Sequence, residues 1–237
     1  PVNQAHDMLV IGVELAGGTQ LHQLLEVGDV RKRCAVLLAC ARDRTTRLLV
    51  HDGVYEAFAE KLAQAVAGLK VGHGLEAGVT QGPLIDSNAL AKVEELVADV
   101  VARGGRVIAG GKRHALGGTF YEPTLLVDVR PGMRVAQEEI FGPVAPLFRF
   151  HADEEALAMA NDTEFGLAAY FYGRDIGRVW RVAEGLESGM IGINTGLIST
   201  EVAPFGGVKE SGLGREGSKY GVEEYLEIKY LCLGGIM

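Results

Sequence analysis

Cysteine is scarce: there are three, Cys34, Cys40 and Cys232, and no Cys-x-x-Cys pair. An odd count without paired spacing argues against a disulfide framework and points to a reducing compartment. Apolar runs of membrane-spanning length are also missing. The opening PVNQAHDMLVIGV has neither a basic n-region nor a cleavage site. Basic clusters are missing too: 23 Lys and Arg stand against 31 Asp and Glu, a net charge of −8. That balance argues against a nucleic-acid partner and favours solubility. A soluble, cytoplasmic protein is expected, with no membrane or nucleic-acid partner and no metal. The first residue is Pro1 rather than Met, so the chain is expected to be a fragment.

What is present is ordinary globular material. The 237 residues are 48% hydrophobic and 23% charged, enough for a large domain with a buried core. Glycine is abundant at 33 residues, which suggests tight turns and strand–helix connections. RLLV, from Arg47, reads as a short buried strand. DGVYEAFAEKLAQAVAGLK reads as an amphipathic helix with Val54, Phe58, Leu62, Val66 and Leu69 on one stripe. VGHGLEAGVTQGPLID is a long loop. Asp86, Ser87 or Asn88 can cap the next helix, whose apolar residues include Leu90, Val93, Val97 and Val101. RVIAGG, TLLVDV and VAPLFRF look like strands. Asp153 is read as the cap of a short helix, DEEALAMAN. AAYFYG is a strand, IGRVWRVAEGLESG a helix and MIGIN a buried strand. Strands alternating with crossover-length helices predict an α/β fold, a mostly parallel sheet with helices on both faces. The tail YLEIKYLCL alternates partly and follows no helix, so it reads as a strand serving another sheet or subunit.

Two motifs carry chemistry by themselves. GLGREG, Gly212 to Gly217, has the spacing of a dinucleotide fingerprint. It follows a loop rather than a strand, and no acid stands at the required distance, so it reads as a glycine-rich turn. QEEIFGPV, Gln137 to Val144, sets two carboxylates ahead of an aromatic and a Gly-Pro turn. Glu139 could accept two hydrogen bonds from a diol such as a ribose, and Phe141 could stack on a flat ring. A solvated acidic loop with a core Phe is the alternative.

EEIFGPV, NDTEFGLAA, INTG and APFGGVKESGLGREG, taken in that order, closely resemble the aldehyde dehydrogenase superfamily. The tail from Gly196 looks most like that of succinate-semialdehyde dehydrogenases. The resemblance runs from about Arg47 to the end. It implies that this chain corresponds to the second half of a family member, with the dinucleotide-binding domain upstream and absent. Residues 1–46 would be a degenerate or partial start of the catalytic domain, 47–221 the catalytic α/β domain, and 222–237 the oligomerisation arm that augments a partner's sheet. It implies oxidation of a small aldehyde to the acid. A cysteine thiolate adds to the carbonyl, hydride leaves to the nicotinamide of NAD or NADP, and water hydrolyses the thioester. By motif match, Glu139 would hold the nicotinamide ribose and Phe141 would pack against the nicotinamide end. Phe205 would line the aldehyde tunnel, and Ser199 would contact the distal carboxylate of a succinate-semialdehyde-type substrate. Without the upstream domain, NAD(P) binding is expected to be weak or absent.

The start of the chain departs from the family. VELAGG, Val13 to Gly18, resembles the family's Glu-Leu-Gly-Gly with Ala16 inserted, and makes Glu14 the general base for thioester hydrolysis. The family's Asn-x-Gly-Gln-x-Cys nucleophile loop has no counterpart in ACARDRTTRLLV. Cys40 is the candidate nucleophile, with Arg42 and Arg44 near enough in sequence to favour a thiolate. A Cys packed in a helix would have a raised pKa and no oxyanion donor. Two expectations follow: a catalytic and oligomerising portion of an aldehyde dehydrogenase, or a non-catalytic, oligomerising remnant.

Overall fold

The computed structural model describes residues 10–14, 45–196 and 198–235. A seven-stranded sheet has the order β3-β4-β5-β2-β1-β7-β8. Its strands are β1 (Val10–Glu14), β2 (Thr45–His51), β3 (Arg106–Ala109), β4 (Thr124–Val129), β5 (Val144–Phe150), β7 (Ala168–Phe171) and β8 (Met190–Ile193). A two-residue ladder joins β6 (Phe165–Gly166) to β9 (Val208–Lys209). β2 and β4 lie parallel to β5, and β7 lies parallel to β8. β1 is antiparallel to both β2 and β7, and β3 is antiparallel to β4. Hence β4, β5, β2, β7 and β8 share one direction, and only β1 and β3 oppose it. AAYFYG and MIGIN are neighbours in one parallel sheet, as the sequence predicts.

Side-chain alternation divides the core between two faces. Leu48, Val50, Leu125, Val127, Ala145 and Leu147 face one way. On them lies α1 (Tyr55–Ala67), whose Phe58, Leu62 and Val66 recur every fourth residue and are buried. Leu49, Leu126, Phe148, Phe150 and Phe171 face the other way. They are covered by α2 (Ser87–Ala102), α3 (Asp153–Asn161) and α4 (Ile176–Gly185). Helices therefore cover both faces, as expected.

Several local expectations change. Asp86 caps α2, its carboxylate accepting from the Ala89 amide at 2.7 Å. In that helix Val101 is 51% exposed, and Val100 takes the core place. Asp153 does not cap α3: it is the first helical residue, after Ala152. Its carboxylate instead takes two hydrogen bonds from Arg178 of α4, at 2.6 and 2.7 Å. MIGIN is a half-exposed edge strand rather than a buried one, because among the described residues no strand pairs beyond β8. The tail enters no strand. A 3₁₀ turn over Tyr220–Tyr225 leads into residues 226–235 without ladder pairing. Ile228 and Tyr230 there are 98% and 85% exposed. A strand needs a neighbour to bond, and the described part of this chain gives the tail none.

Candidate functional site

Topology decides which loops meet. Since β2, β4, β5, β7 and β8 run in parallel, their first residues lie along one edge of the sheet. The segment 137–143 enters β5 at that edge, where the Thr124 amide that opens β4 donates to Pro143 O at 2.8 Å. The bend 204–207 lies at the same edge, at the start of β7 and β8. A Cβ on Gly207 would lie 3.1 Å from Leu167 Cα and 3.0 Å from Gly166 O. β1 runs the other way, so its last residue also reaches this edge: Glu14 stands opposite Thr45 and Ala168. Three strand steps separate β5 from β7, about 15 Å at the usual spacing of neighbouring strands. The sheet thus gathers Glu139, Phe141, the backbone of Glu14, and Phe205 along one edge. The Glu14 side chain, Cys34 and Cys40 lie outside the described residues. Cys232 is exposed in the tail.

The first corner is held from below. A 3₁₀ turn, Arg134–Ala136, precedes it. Arg134 grips Glu138 with two guanidinium nitrogens, at 2.7 and 3.2 Å. The Arg134 amide donates to Asp99 of α2 at 3.0 Å. The Arg134 hydrogen bond holds the Glu138 carboxyl below the usual carboxylate range, against a smaller opposing push from desolvation. Glu138 is thereby committed to Arg134. Glu139 is half-buried, with Oε1 withdrawn from solvent. Phe141 is 49% exposed, so it is not a core Phe. Its φ is +45°, a left-handed conformation that costs an aromatic residue energy and persists only where the surroundings enforce it. Behind it, Gly142 sits where a Cβ would collide with the Val93 side chain.

The second corner is a knot of backbone bonds. Phe205 and Glu216 exchange amide–carbonyl bonds of 2.8 and 2.7 Å. Arg215 Nη1 donates to Gly207 O and Gly214 O, both at 2.7 Å. The Gly166 amide donates to Ser211 Oγ at 3.0 Å. GLGREG is the turn in this knot and opens no helix, as its context predicts. Phe205 is half-buried. Ser199 is exposed, on the segment that returns from β8 toward this bend. Asn194, in INTG, has φ +57° and clasps Gly173 with both arms: Oδ1 accepts from its amide at 3.0 Å and Nδ2 donates to its carbonyl at 2.7 Å. Arg134, Asn194 and Lys209 were not predicted from sequence. Asn194 and Lys209 sit inside conspicuous motifs, but only the fold shows what they hold. Among the described residues no group of His, Cys, Asp or Glu could hold a metal ion, and no helix is long and apolar enough to cross a membrane.

Residues 43–231 match the profile of the aldehyde dehydrogenase family. The glutarate-semialdehyde dehydrogenase of Pseudomonas aeruginosa is 70% identical over 190 residues, 80% of this chain and 39% of that protein. The NADP(+) succinate-semialdehyde dehydrogenase of Escherichia coli is 65% identical over 188 residues, 79% of this chain and 39% of that one. The crystal structure of succinate-semialdehyde dehydrogenase from Burkholderia pseudomallei superimposes with a TM-score of 0.81 at 59% identity, covering 89% of this chain and 45% of that chain. The chain spans about two fifths of the length of the curated relatives it matches. With a profile match over most of its length and a shared arrangement of sheet and helices, the chain belongs to the aldehyde dehydrogenase family.

Proposed function

We propose that this chain is the catalytic and oligomerising portion of a cytoplasmic NAD(P)-dependent dehydrogenase that oxidises succinate semialdehyde, or a similar short acid-bearing aldehyde, to the acid. The observation that carries this reading is the shared sheet edge, where Glu139, Phe141, Glu14 and Phe205 meet across about 15 Å of strand spacing. The half-exposed, conformationally locked Phe141 ring beside the half-buried Glu139 fits the nicotinamide end of a dinucleotide. NAD(P), when bound, supplies the hydride acceptor. Glu139 accepts hydrogen bonds from the ribose hydroxyls, and the Phe141 ring packs beside the nicotinamide. Phe205 lines the aldehyde's approach, and the Ser199 hydroxyl donates to the distal carboxylate. Cys40 is the nucleophile and Glu14 the base that activates water. Residues 47–221 form the catalytic part, and 222–237 the arm through which copies assemble. The arm's exposed apolar side chains support that assignment, since Leu226, Ile228 and Leu231 are all more than 60% exposed.

A second reading is a non-catalytic, oligomerising member. It is favoured by ACARDRTTRLLV, which carries none of the Gly-Gln-x-Cys pattern. Iodoacetamide labelling at neutral pH, read by mass spectrometry with and without succinate semialdehyde, separates the two. One fast thiol at Cys40, slowed by the aldehyde, supports the dehydrogenase. Uniformly slow thiols remove it.

A further inference from the structure

Lys209 lies four residues past Phe205 and is the second residue of β9. Its ammonium has three N–H groups, and each has a partner. Nζ donates to Asn161 O at 2.9 Å and to Thr163 O at 3.1 Å, and it pairs with the Glu187 carboxylate. These partners come from three places: the last residue of α3, the turn into β6, and the connection from α4 to β8. Asn161 closes the ring. Its Oδ1 accepts from the Glu187 amide at 2.9 Å, and its Nδ2 donates to Gly185 O at 2.8 Å. Lys209 also has φ +55°, a conformation an L residue adopts only under constraint. The ladder it sits in has just two residue pairs, too few to impose that conformation alone. The bend is tightly fitted as well: a Cβ on Gly207 would lie 2.6 Å from Ser211 Cβ.

We infer that Lys209 is a positioning residue: its fully used ammonium staples the outgoing leg of the 204–207 bend to the sheet edge and so fixes where Phe205 stands. The meaning of that placement for an aldehyde rests on the dehydrogenase reading above, but the staple itself does not.

The test compares Lys209→Met with Lys209→Gly by amide hydrogen exchange in the full chain. Met keeps the unfavourable backbone conformation and loses the bonds; Gly relieves the conformation and loses the same bonds. Both variants are expected to speed exchange at the Phe205 and Glu216 amides by roughly 10- to 100-fold, the range for losing hydrogen bonds to a charged group. Amides of β5 and β7 should be unchanged. Glu187→Gln, which keeps both carbonyl contacts, should show a smaller acceleration at the same amides. A Lys209→Gly protein that exchanges like wild type, or acceleration spread evenly over the sheet in all three variants, would overturn the staple. In the iodoacetamide assay Lys209→Met should raise the succinate semialdehyde concentration that half-protects Cys40 about tenfold and leave the unprotected labelling rate within about twofold, scaled from one lost ordering contact. An equal change in the unprotected labelling rate would make Lys209 a general stability residue. If Cys40 shows no aldehyde-protected labelling while the exchange pattern holds, the staple stands and the dehydrogenase reading falls.

Discussion

Phe141 offers a direct test of whether its ring is presented to a ligand or built into the core. The ring is 49% exposed and the backbone has φ +45°. Fully burying a Phe side chain stabilises by about 1.5–3 kcal/mol, so half-burial is worth about 1 kcal/mol. The left-handed backbone costs a non-glycine residue about 1–2 kcal/mol. Phe141→Ala loses the burial and keeps the backbone cost, a loss of about 1 kcal/mol. Phe141→Gly loses the same burial and recovers the backbone cost, but adds about 0.5–1 kcal/mol of unfolded-state entropy. Glycine should therefore match or exceed alanine by up to about 1.5 kcal/mol, the reverse of the usual order in regular structure. Urea unfolding followed by far-UV circular dichroism measures both variants against wild type. Alanine more stable than glycine, or a loss above about 3 kcal/mol in either, would mean a buried anchor. The claim that this ring is held out for a cofactor would then be wrong.

Gly142→Ala should destabilise by about 1–3 kcal/mol through overpacking, because its Cβ enters the Val93 side chain. An unchanged thermal midpoint would show that the corner is not seated on α2. Asp153 is held below the usual Asp range by its hydrogen bonds from Arg178. A depressed folded-state pKa contributes stability that is fully present above the unfolded value, about 4, and lost as pH falls through the folded one. The urea midpoints of wild type and Asp153→Asn should therefore differ at pH 7 and converge below about pH 4. A gap that stays constant to pH 3 would refute the coupling.

Much of the fold was legible because burial and periodicity agree. Phe58, Leu62 and Val66 repeat at helical spacing, and TLLVDV and VAPLFRF are apolar runs of strand length bounded by Gly and Pro. The failures have local causes. Val100 and Val101 are adjacent and equally apolar, so only the helix's rotation on the sheet decides which is buried. Asp153 has the right chemistry for a cap, but a bidentate Arg178 outbids the backbone for its carboxylate. MIGIN looks like a core strand, yet its exposure depends on its place in the strand order. The site was readable as motifs and unreadable as a place. EEIFGPV and APFGGVKES are over sixty residues apart, and only the parallel directions of β5 and β7 bring them to one edge. Lys209 was hidden because its partners are mostly main-chain carbonyls, which carry no side-chain signature.

The middle position of β1 has a consequence for assembly of the molecule. Among the described residues, ladder hydrogen bonds pass between the four-strand block β3-β4-β5-β2 and the pair β7-β8 only through Val10–Glu14. One side of this strand pairs with a segment about forty residues later, the other with one about a hundred and sixty residues later, so the two ladders must close at very different times. While the second is open, β1 offers a raw edge to any other chain, and the risk of mispairing is greatest there. Loss of these five residues would split the sheet in two and leave the halves of the candidate site without a common frame.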